Sequence, residues 1–313
     1  MRIEPHHDEA GAVSVLFAVC VVVLFGAVAL VIDGGQIWSG KRQLITAVDA
    51  GALAAAQEFG MGGNGCTAVA SSYVLSNDDE AESITCTQSG ASVTVSASVI
   101  VTHQLASMLG RDSTVVNAST TASFGPVSSL DGARPLGLCN GSDGFLAWQA
   151  SGHSTTEVFR ITYGKDNVSA CGGENSPGNW GLLDFNGGAN SNSETQDWFS
   201  DGYVGAVSAA TWYEGDPGAF SNSMGVEDLV GETVFFPVFD DASGSGSNAV
   251  FHVAGFVGAL VVDVKSTGRA ADRYIDLRFV TMVADGDCCG DGAIDGGVIA
   301  IGLCRVDDQG ECP

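Results

Sequence analysis

Residues 10–57 read AGAVSVLFAVCVVVLFGAVALVIDGGQIWSGKRQLITAVDAGALAAAQ. Residues 11–32 form a run of 22 residues without a charged side chain. A helix needs about 20 predominantly apolar residues to cross a bilayer, so this run is predicted to be a transmembrane helix. The residues expected to anchor it in the membrane are Gly11, Val13, Leu16, Phe17, Leu24, Phe25, Leu30 and Ile32.

Beyond Asp33 the pattern changes to that of an amphipathic helix, which glycines at 60, 62 and 63 are expected to end. One face of this helix carries small apolar side chains at helical spacing, namely Leu44, Val48, Ala52 and Ala55. Because small side chains let helices approach closely, this stripe is predicted to be the helix assembly face. The alternative is that it packs on the chain's own strands, as most amphipathic faces do.

The chain is strongly acidic, with 12 Lys and Arg against 37 Asp and Glu among 313 residues. Nucleic acids and anionic lipid surfaces attract basic patches, so the composition argues against both as partners. The length is sufficient for an anchor and one or two further domains.

Eight of the nine cysteines follow the apolar run, and Cys20 lies within it. An even number on one side of a membrane span indicates disulfides in an oxidising compartment, which predicts an extracellular C-terminal part. Zinc is the alternative, but the sequence has no C-x-x-C pair. The preferred pair is Cys66 with Cys86, which bracket the first connection after the long helix. The remaining disulfide candidates are Cys139, Cys171, Cys288, Cys289, Cys304 and Cys312.

Two observations leave alternatives open for the N-terminus. One basic residue, Arg2, precedes the run, and two, Lys41 and Arg42, follow it. Because basic residues are enriched on the cytoplasmic side of a membrane helix, this imbalance mildly favours a cytoplasmic C-terminal part. A cleaved signal peptide with a site at residues 27–29 is the second alternative, although the leader before the run is acidic.

The N-terminal pattern resembles a known family. Residues 11–15 (GAVSV), the apolar run, Asp33-Gly34-Gly35, residues 41–44 (KRQL) and residues 49–56 (DAGALAAA) are similar to the N-terminus of Tad pilus-assembly proteins, in particular the TadE/TadG-like group of Flp pilus systems. Residues 177–185, 231–239 and 252–256 resemble actinobacterial members of the same group. The resemblance implies a non-enzymatic role in pilus assembly, with no cofactor and with other pilus-assembly proteins or pilins as partners.

The rest of the chain is predicted to be mainly β. Residues 83–87 and 92–99 alternate apolar and polar side chains around a turn at residues 89–90, which indicates a hairpin, and residues 113–124 read as a further strand. After residue 135 short strands and frequent glycines favour a β-sandwich or irregular barrel. The predicted fold is therefore α+β: a long transmembrane, pilin-like helix with a small antiparallel sheet, followed by a mainly β domain.

The expected domain organisation has five segments. They are a cytoplasmic leader (1–10), a transmembrane helix (11–32), a pilin-like helix and sheet (33–126), a linker (127–134) and an extracellular β domain (135–313).

Three further patterns have some features of binding or catalytic sites. Residues 241–245 spell the D-x-S-x-S of metal-binding adhesion domains, but the helix and chain length that such a domain needs do not follow, so a loop is expected. Asp285, Asp287, Asp291 and Asp295 resemble a calcium loop that lacks two EF-hand ligands. No complete nucleophile–base constellation is present around His153 or His252.

The sequence thus predicts a single-pass cell-membrane protein that acts as a pilin-like or accessory component of Tad (Flp) pilus assembly. Its partners are expected to be the cytoplasmic membrane and other pilus proteins, with no nucleic acid and no small-molecule substrate. No catalytic or metal-binding residue is assigned. The alternatives are a surface-displayed adhesin that binds through its β domain and, more remotely, a secreted hydrolase.

Overall fold

The computed structural model describes residues 10–162, 171, 181–188, 192–217, 225–269, 272–288 and 292–304. The chain forms two compact units. The first contains residues 1–55, 65–89 and 93–121, and the second contains residues 56–64, 90–92 and 122–313.

The first unit is built from two helices and three strands. Its elements are α1 (Ala10–Gly60), α2 (Cys66–Asn77), β1 (Glu82–Ser89), β2 (Ser92–Thr102), a 3-10 turn (Ala106–Leu109) and the first part of β3 (Ser113–Leu130). The strands lie in the order β1-β2-β3. Hydroxyl pairs Thr94–Thr121 and Ser96–Ser119, each at 2.8 Å, fix an antiparallel register between β2 and β3, because the paired numbers change in opposite directions.

Alternation within β2 explains why α1 packs on this sheet. Val93, Val95, Ala97 and Val99 are buried, while Thr94 and Ser96 between them lie on the opposite face. The predicted hairpin at residues 83–99 and the long N-terminal helix are both present.

In its described residues, the second unit consists mainly of strands with two short helices. Its elements are β4 (Leu138–Cys139), α3 (Asp143–Ala150), β5 (Phe159–Thr162), β6 (Leu183–Asp184), α4 (Asn192–Ser200), β7 (Val207–Ser208), β8 (Thr211–Gly215), a 3-10 turn (Val226–Leu229), β9 (Thr233–Ser243), a 3-10 turn (Gly246–Asn248), β10 (Val250–Lys265), β11 (Tyr274–Val280), β12 (Met282–Val283), β13 (Gly286–Cys288), β14 (Ile294–Gly296) and β15 (Val298–Leu303).

The long strand β10 organises the second unit. The main sheet has the order β4-β9-β10-β11-β5, and β8 and β14 also pair with β10. The β9–β10, β10–β11 and β11–β5 pairs are antiparallel, whereas β4–β9 and β10–β14 are parallel. The last part of β3 pairs antiparallel with β15 through residues 122–126. Mixed sheets after a long apolar helix confirm the α+β class.

Two hydrophobic clusters fill this unit. One contains Phe145, Trp148, Phe199, Phe236 and Phe279 among its buried members. The other contains aromatic side chains on β9 and β10 and the Cys139 and Cys171 side chains.

The β3 strand differs from the expected linker. It continues through Gly125 and Pro126 to Leu130, and its last residues pair with β7 and β13. These partners supply backbone hydrogen bonds to a segment whose serines gave no strand pattern. The division of the chain into domains at the expected boundaries stays a prediction.

Candidate membrane anchor and assembly site

The first half of α1 exposes an apolar surface along its whole length. The predicted anchor side chains Val13, Leu16, Phe17, Leu24, Phe25, Leu30 and Ile32 have exposed fractions between 42% and 76%, and Gly11 is also exposed. Within the described residues, α1 is the one helix long and apolar enough to cross a membrane, and its most apolar 18-residue stretch has no buried residue. A continuous exposed apolar surface of this kind fits anchoring in a bilayer.

The second half of α1 has the opposite character. Leu44, Val48, Ala52 and Ala55, the predicted assembly face, are each 0% exposed. Their burial favours the alternative in which the stripe packs on the chain's own strands. A role of this stripe in assembly stays a prediction.

Close packing of α1 depends on a glycine at position 51. A Cβ atom built there lies 2.7 Å from Val74 Cγ2 and 3.1 Å from the Ala70 carbonyl oxygen, both on α2. It also lies 3.6 Å from Val95 Cγ1 on β2. Two polar contacts accompany this packing. The Thr120 hydroxyl donates to Asp49 Oδ1 at 2.6 Å, and the Lys41 ammonium donates to the Asn117 carbonyl.

Asp33 lies where the exposed and packed halves of α1 meet. Its side chain is 5% exposed and accepts backbone N–H groups from three consecutive residues. Gln104 N is 2.8 Å from Oδ1, Ala106 N is 2.7 Å from Oδ2, and Leu105 N lies 3.2 and 3.3 Å from the two oxygens. The carboxylate thereby fastens the connection between β2 and β3 to the end of the apolar run. This role of Asp33 could not be predicted from the sequence, because the donors lie 71–73 positions away along the chain.

Two disulfides have both cysteines identified among the described residues. Cys66 bonds to Cys86, the pair preferred from the sequence, and Cys139 bonds to Cys171. Cys288 and Cys304 are also disulfide-bonded, while Cys20 is a free, exposed thiol. Cys289 and Cys312 lie outside the described residues.

The remaining sequence candidates have structural explanations. Asp241 lies in β9, and residues 244–248 close the hairpin to β10, so the D-x-S-x-S letters form a strand end and a loop. His252 Nδ1 lies 2.6 Å from Asp240 Oδ1, and Asp295 accepts the N–H of Gly297. Asp291 lies outside the described residues; among those described, no group of three or more His, Cys, Asp or Glu is placed to hold a metal ion.

The geometry is that of a long helix whose first half is apolar and exposed and whose second half packs on a small sheet. A family model with the description "Putative Flp pilus-assembly TadE/G-like" (Tad) matches residues 11–58. The match confirms the Tad resemblance over the N-terminal segment and covers both halves of α1. No curated protein and no solved structure matches the chain. The resemblance of the later stretches to actinobacterial members stays a prediction.

Proposed function

We propose that this chain is a membrane-anchored, pilin-like or accessory component of Tad (Flp) pilus assembly, without enzymatic activity. One observation carries the proposal: the Tad match over residues 11–58 coincides with a helix whose first half is apolar and exposed. The same match extends over the half that packs on the sheet. The family segment therefore combines an anchor with the support for a displayed domain.

Disulfides support the proposed orientation. Cys66–Cys86 and Cys139–Cys171 lie in the first and second unit respectively, and both follow the apolar run. Disulfides persist in oxidising compartments, so the part after residue 32 is proposed to lie outside the cytoplasmic membrane. The protein would then be single-pass, with a cytoplasmic leader.

The exposed half of α1 is the proposed region of contact with the cytoplasmic membrane and with other pilus-assembly proteins or pilins. Its large apolar side chains are exposed within the described residues. Helices that associate in lipid do so through such exposed faces.

Co-purification of the tagged full-length chain with other pilus components, in the presence and absence of detergent, tests the proposal. Phe25→Asp places a charge in the exposed apolar run, and it is expected to lower membrane association and partner recovery together. Val204→Asp, at a position 92% exposed in the second unit, is the matched control and should change neither. Normal anchoring with no pilus component recovered would contradict the assembly role and favour the binding-module alternative.

Protease treatment of intact spheroplasts tests the orientation separately. External protease is expected to degrade residues 60–313 before lysis while the leader stays protected. Protection of the C-terminal part until lysis would overturn the extracellular placement.

A further inference from the structure

We propose that the connection between β2 and β3, residues 103–112, binds a phospholipid at the membrane surface. Met108 would insert beside the lipid chains, and Arg111 would bind the lipid phosphate. This inference rests on the anchoring part of the proposed function, and it adds a specific lipid contact outside the spanning helix.

The hydrogen bonds to Asp33 determine the depth of this connection relative to the membrane. Three consecutive N–H groups of residues 104–106 bind the carboxylate one position beyond the end of the apolar run. Because an α-helix rises about 1.5 Å per residue, the connection is held within a few ångströms of the end of the hydrocarbon-spanning segment. That depth corresponds to the headgroup region of a bilayer.

A hollow of about 330 Å³ lies beside this attachment. Gly26, Ala29 and Leu30 of the apolar run line one part of it, and His103 and Arg111 line another. The hollow therefore adjoins the surface proposed to contact lipid chains, and its lining includes the Arg111 cation as well as the Asp33 carboxylate, which already accepts three backbone N–H groups. An apolar space that leads to a guanidinium group matches a phospholipid, whose acyl chains continue from a phosphate.

The connection carries an exposed apolar side chain, Met108, and an exposed cationic side chain, Arg111. Met108 is 85% exposed, which is high for an apolar residue in a folded protein. Arg111 is exposed, and its guanidinium forms no ion pair within the described part of the chain. A bilayer surface would cover the first and supply an anion to the second.

His103 provides a further polar atom in the same hollow. Its side chain is only 8% exposed, Nε2 lies 2.8 Å from the Thr114 hydroxyl, and the buried Nδ1 has no hydrogen-bond partner among the described atoms. A buried ring nitrogen without a partner is unfavourable unless a ligand or water satisfies it. With Nε2 accepting from Thr114, Nδ1–H is available to donate to an ester or phosphate oxygen.

Trp38 supports the same depth independently. It is 68% exposed on α1, and helical side chains lean toward the N-terminus, back toward the apolar run. Exposed tryptophan at this position is typical of the aromatic belt at a membrane surface.

The acidic composition limits what kind of lipid contact is expected. A net charge of −25 opposes attraction of the whole chain to an anionic surface. The proposed contact is instead with a single phospholipid, through its phosphate and acyl chains, and it requires only the local Arg111 and His103 side chains.

Photocrosslinking of the full-length protein in nanodiscs of phosphatidylethanolamine and phosphatidylglycerol tests the depth of Met108. The photoreactive residue benzoylphenylalanine is placed singly at three exposed positions: Phe25→benzoylphenylalanine in the apolar run, Met108→benzoylphenylalanine and Tyr73→benzoylphenylalanine. Tyr73 lies on α2, is 52% exposed and adjoins Val74, which lies against Gly51 of α1. Because a helix rises about 1.5 Å per residue, Gly51 is about 27 Å beyond Asp33 along α1, and Tyr73 therefore serves as a control far from the membrane surface. An intact Cys66–Cys86 disulfide in each variant establishes that the unit is folded.

Lipid adducts are expected at Phe25 and Met108 and not at Tyr73. Adducts at Phe25 without adducts at Met108 overturn this inference alone. Absence of adducts at Phe25 overturns the anchoring part of the proposed function and this inference with it. Equal labelling at Met108 and Tyr73 also overturns the inference, because the contact would then be unspecific.

The role of Arg111 is tested in the Met108→benzoylphenylalanine background. Arg111→Gln is expected to lower the lipid adduct yield about threefold or more, since a charge-assisted hydrogen bond to phosphate is lost. Arg269→Gln removes the same charge from an exposed residue of the second unit and should leave the yield unchanged. An unchanged yield with Arg111→Gln overturns the phosphate contact.

Discussion

The two units of this chain bury different kinds of side chain. Where α1 meets the sheet of the first unit, the core is made of small residues, including Ala47, Ala52, Ala70, Val74 and Val95. The second unit buries large aromatic side chains in both of its clusters. Its largest fully buried residues include Trp148, Phe145, Phe199, Phe236 and Phe251.

This difference shows two ways to stabilise a domain. Small side chains let α1 and α2 approach closely, so that much of their contact is made by the backbones. This close approach leaves little room for extra atoms. In the second unit, large aromatic side chains fill the space between elements whose backbones are further apart, so that the contact is made by the side chains. The first unit is therefore expected to be most sensitive to added atoms, and the second to removed atoms.

The largest effect is expected from Trp148→Ala in the second unit. Trp148 is 1% exposed, and its indole N–H donates to the Gly296 carbonyl at 3.0 Å. The substitution should lower the free energy of unfolding by about 3–5 kcal/mol, because it leaves a cavity and an unpaired carbonyl. Denaturant unfolding of the full-length protein in detergent, monitored by hydrogen exchange of the β10 amides, measures this loss of stability.

Leu146→Ala, on the same helix α3 but 49% exposed, is the control for this prediction. It should cost much less, on the order of 0.5 kcal/mol. Similar losses for the two variants would show that volume does not determine the stability of the second unit.

A somewhat smaller effect is expected from Cys66→Ser in the first unit. The disulfide closes a separation of 20 residues between α2 and β1, in a unit whose core offers few large side chains. Its loss should destabilise the unit by about 2–5 kcal/mol. The melting temperature and the hydrogen exchange of β1 should both report this, and Cys86 should become reactive toward thiol reagents.

Cys20→Ser is the matched control, since Cys20 is a free thiol on the exposed half of α1. It removes a sulfur atom without removing a crosslink. If Cys66→Ser melts at the same temperature as Cys20→Ser, the disulfide does not stabilise the first unit.

The sequence predicted the local features of both units better than the contacts between distant positions. The uncharged run at 11–32 and the alternation in β2 are local patterns, and they specify a long apolar helix and a half-buried strand directly. Cys66 and Cys86 were paired because they bracket one short connection. Cys139 and Cys171 form a pair across a longer separation, for which spacing alone gives no preference.

Two features of the candidate site required the structure. The stripe Leu44, Val48, Ala52 and Ala55 is apolar and helical whether it faces a partner or the chain's own sheet, so the periodicity could not distinguish the two. Asp33 marks the end of the apolar run, but its carboxylate binds amides whose position depends on the path of β2 and β3. The short strands β13 and β14 were also missed, because their acidic and glycine-rich sequences favour loops.

Gly51→Ala tests the claim that the first unit depends on close approach. The added methyl would lie 2.7 Å from Val74 Cγ2 and 3.1 Å from the Ala70 carbonyl oxygen. Overpacking of this kind should cost about 1–3 kcal/mol and outweigh the gain in helix propensity. Thermal unfolding and the exchange of the α2 amides measure the effect.

Gly35→Ala, on the same helix, gives the opposite expectation. A Cβ atom at Gly35 meets nothing within 4 Å, so only the gain in helix propensity remains. It should stabilise α1 by up to about 1 kcal/mol. A stabilising effect of both substitutions would contradict the close-packing interpretation.

The smallest effects on stability are expected from substitutions of polar side chains on the strands. Their dependence on salt concentration should differ between the two units. The first unit pairs uncharged hydroxyls across strands, as in Ser96–Ser119 at 2.8 Å. The second pairs Arg160 with Asp276 through two hydrogen bonds of 2.7 and 2.6 Å, and the guanidinium lies 3.6 Å from the centre of the Tyr274 ring. The hydrogen bond to Asp276 raises the pKa of Arg160, which therefore stays charged at any pH at which the protein folds.

Ser96→Ala and Arg160→Gln should each lower the free energy of unfolding by about 0.2–1 kcal/mol at low salt, since the hydroxyl pair and the Arg160 side chain are exposed and a glutamine amide can still donate to the buried Asp276 carboxylate. Raising the salt concentration to about 1 M shortens the screening length to roughly 3 Å and weakens exposed ion pairs. The effect of Arg160→Gln should therefore shrink as salt is added, whereas that of Ser96→Ala should not change, because hydroxyl pairs carry no net charge. Denaturant unfolding of each variant at two salt concentrations measures the difference. An effect of Arg160→Gln that is independent of salt would assign its contribution to packing on Tyr274, and the two units would then differ in the size of their side chains but not in the electrostatics of their strands.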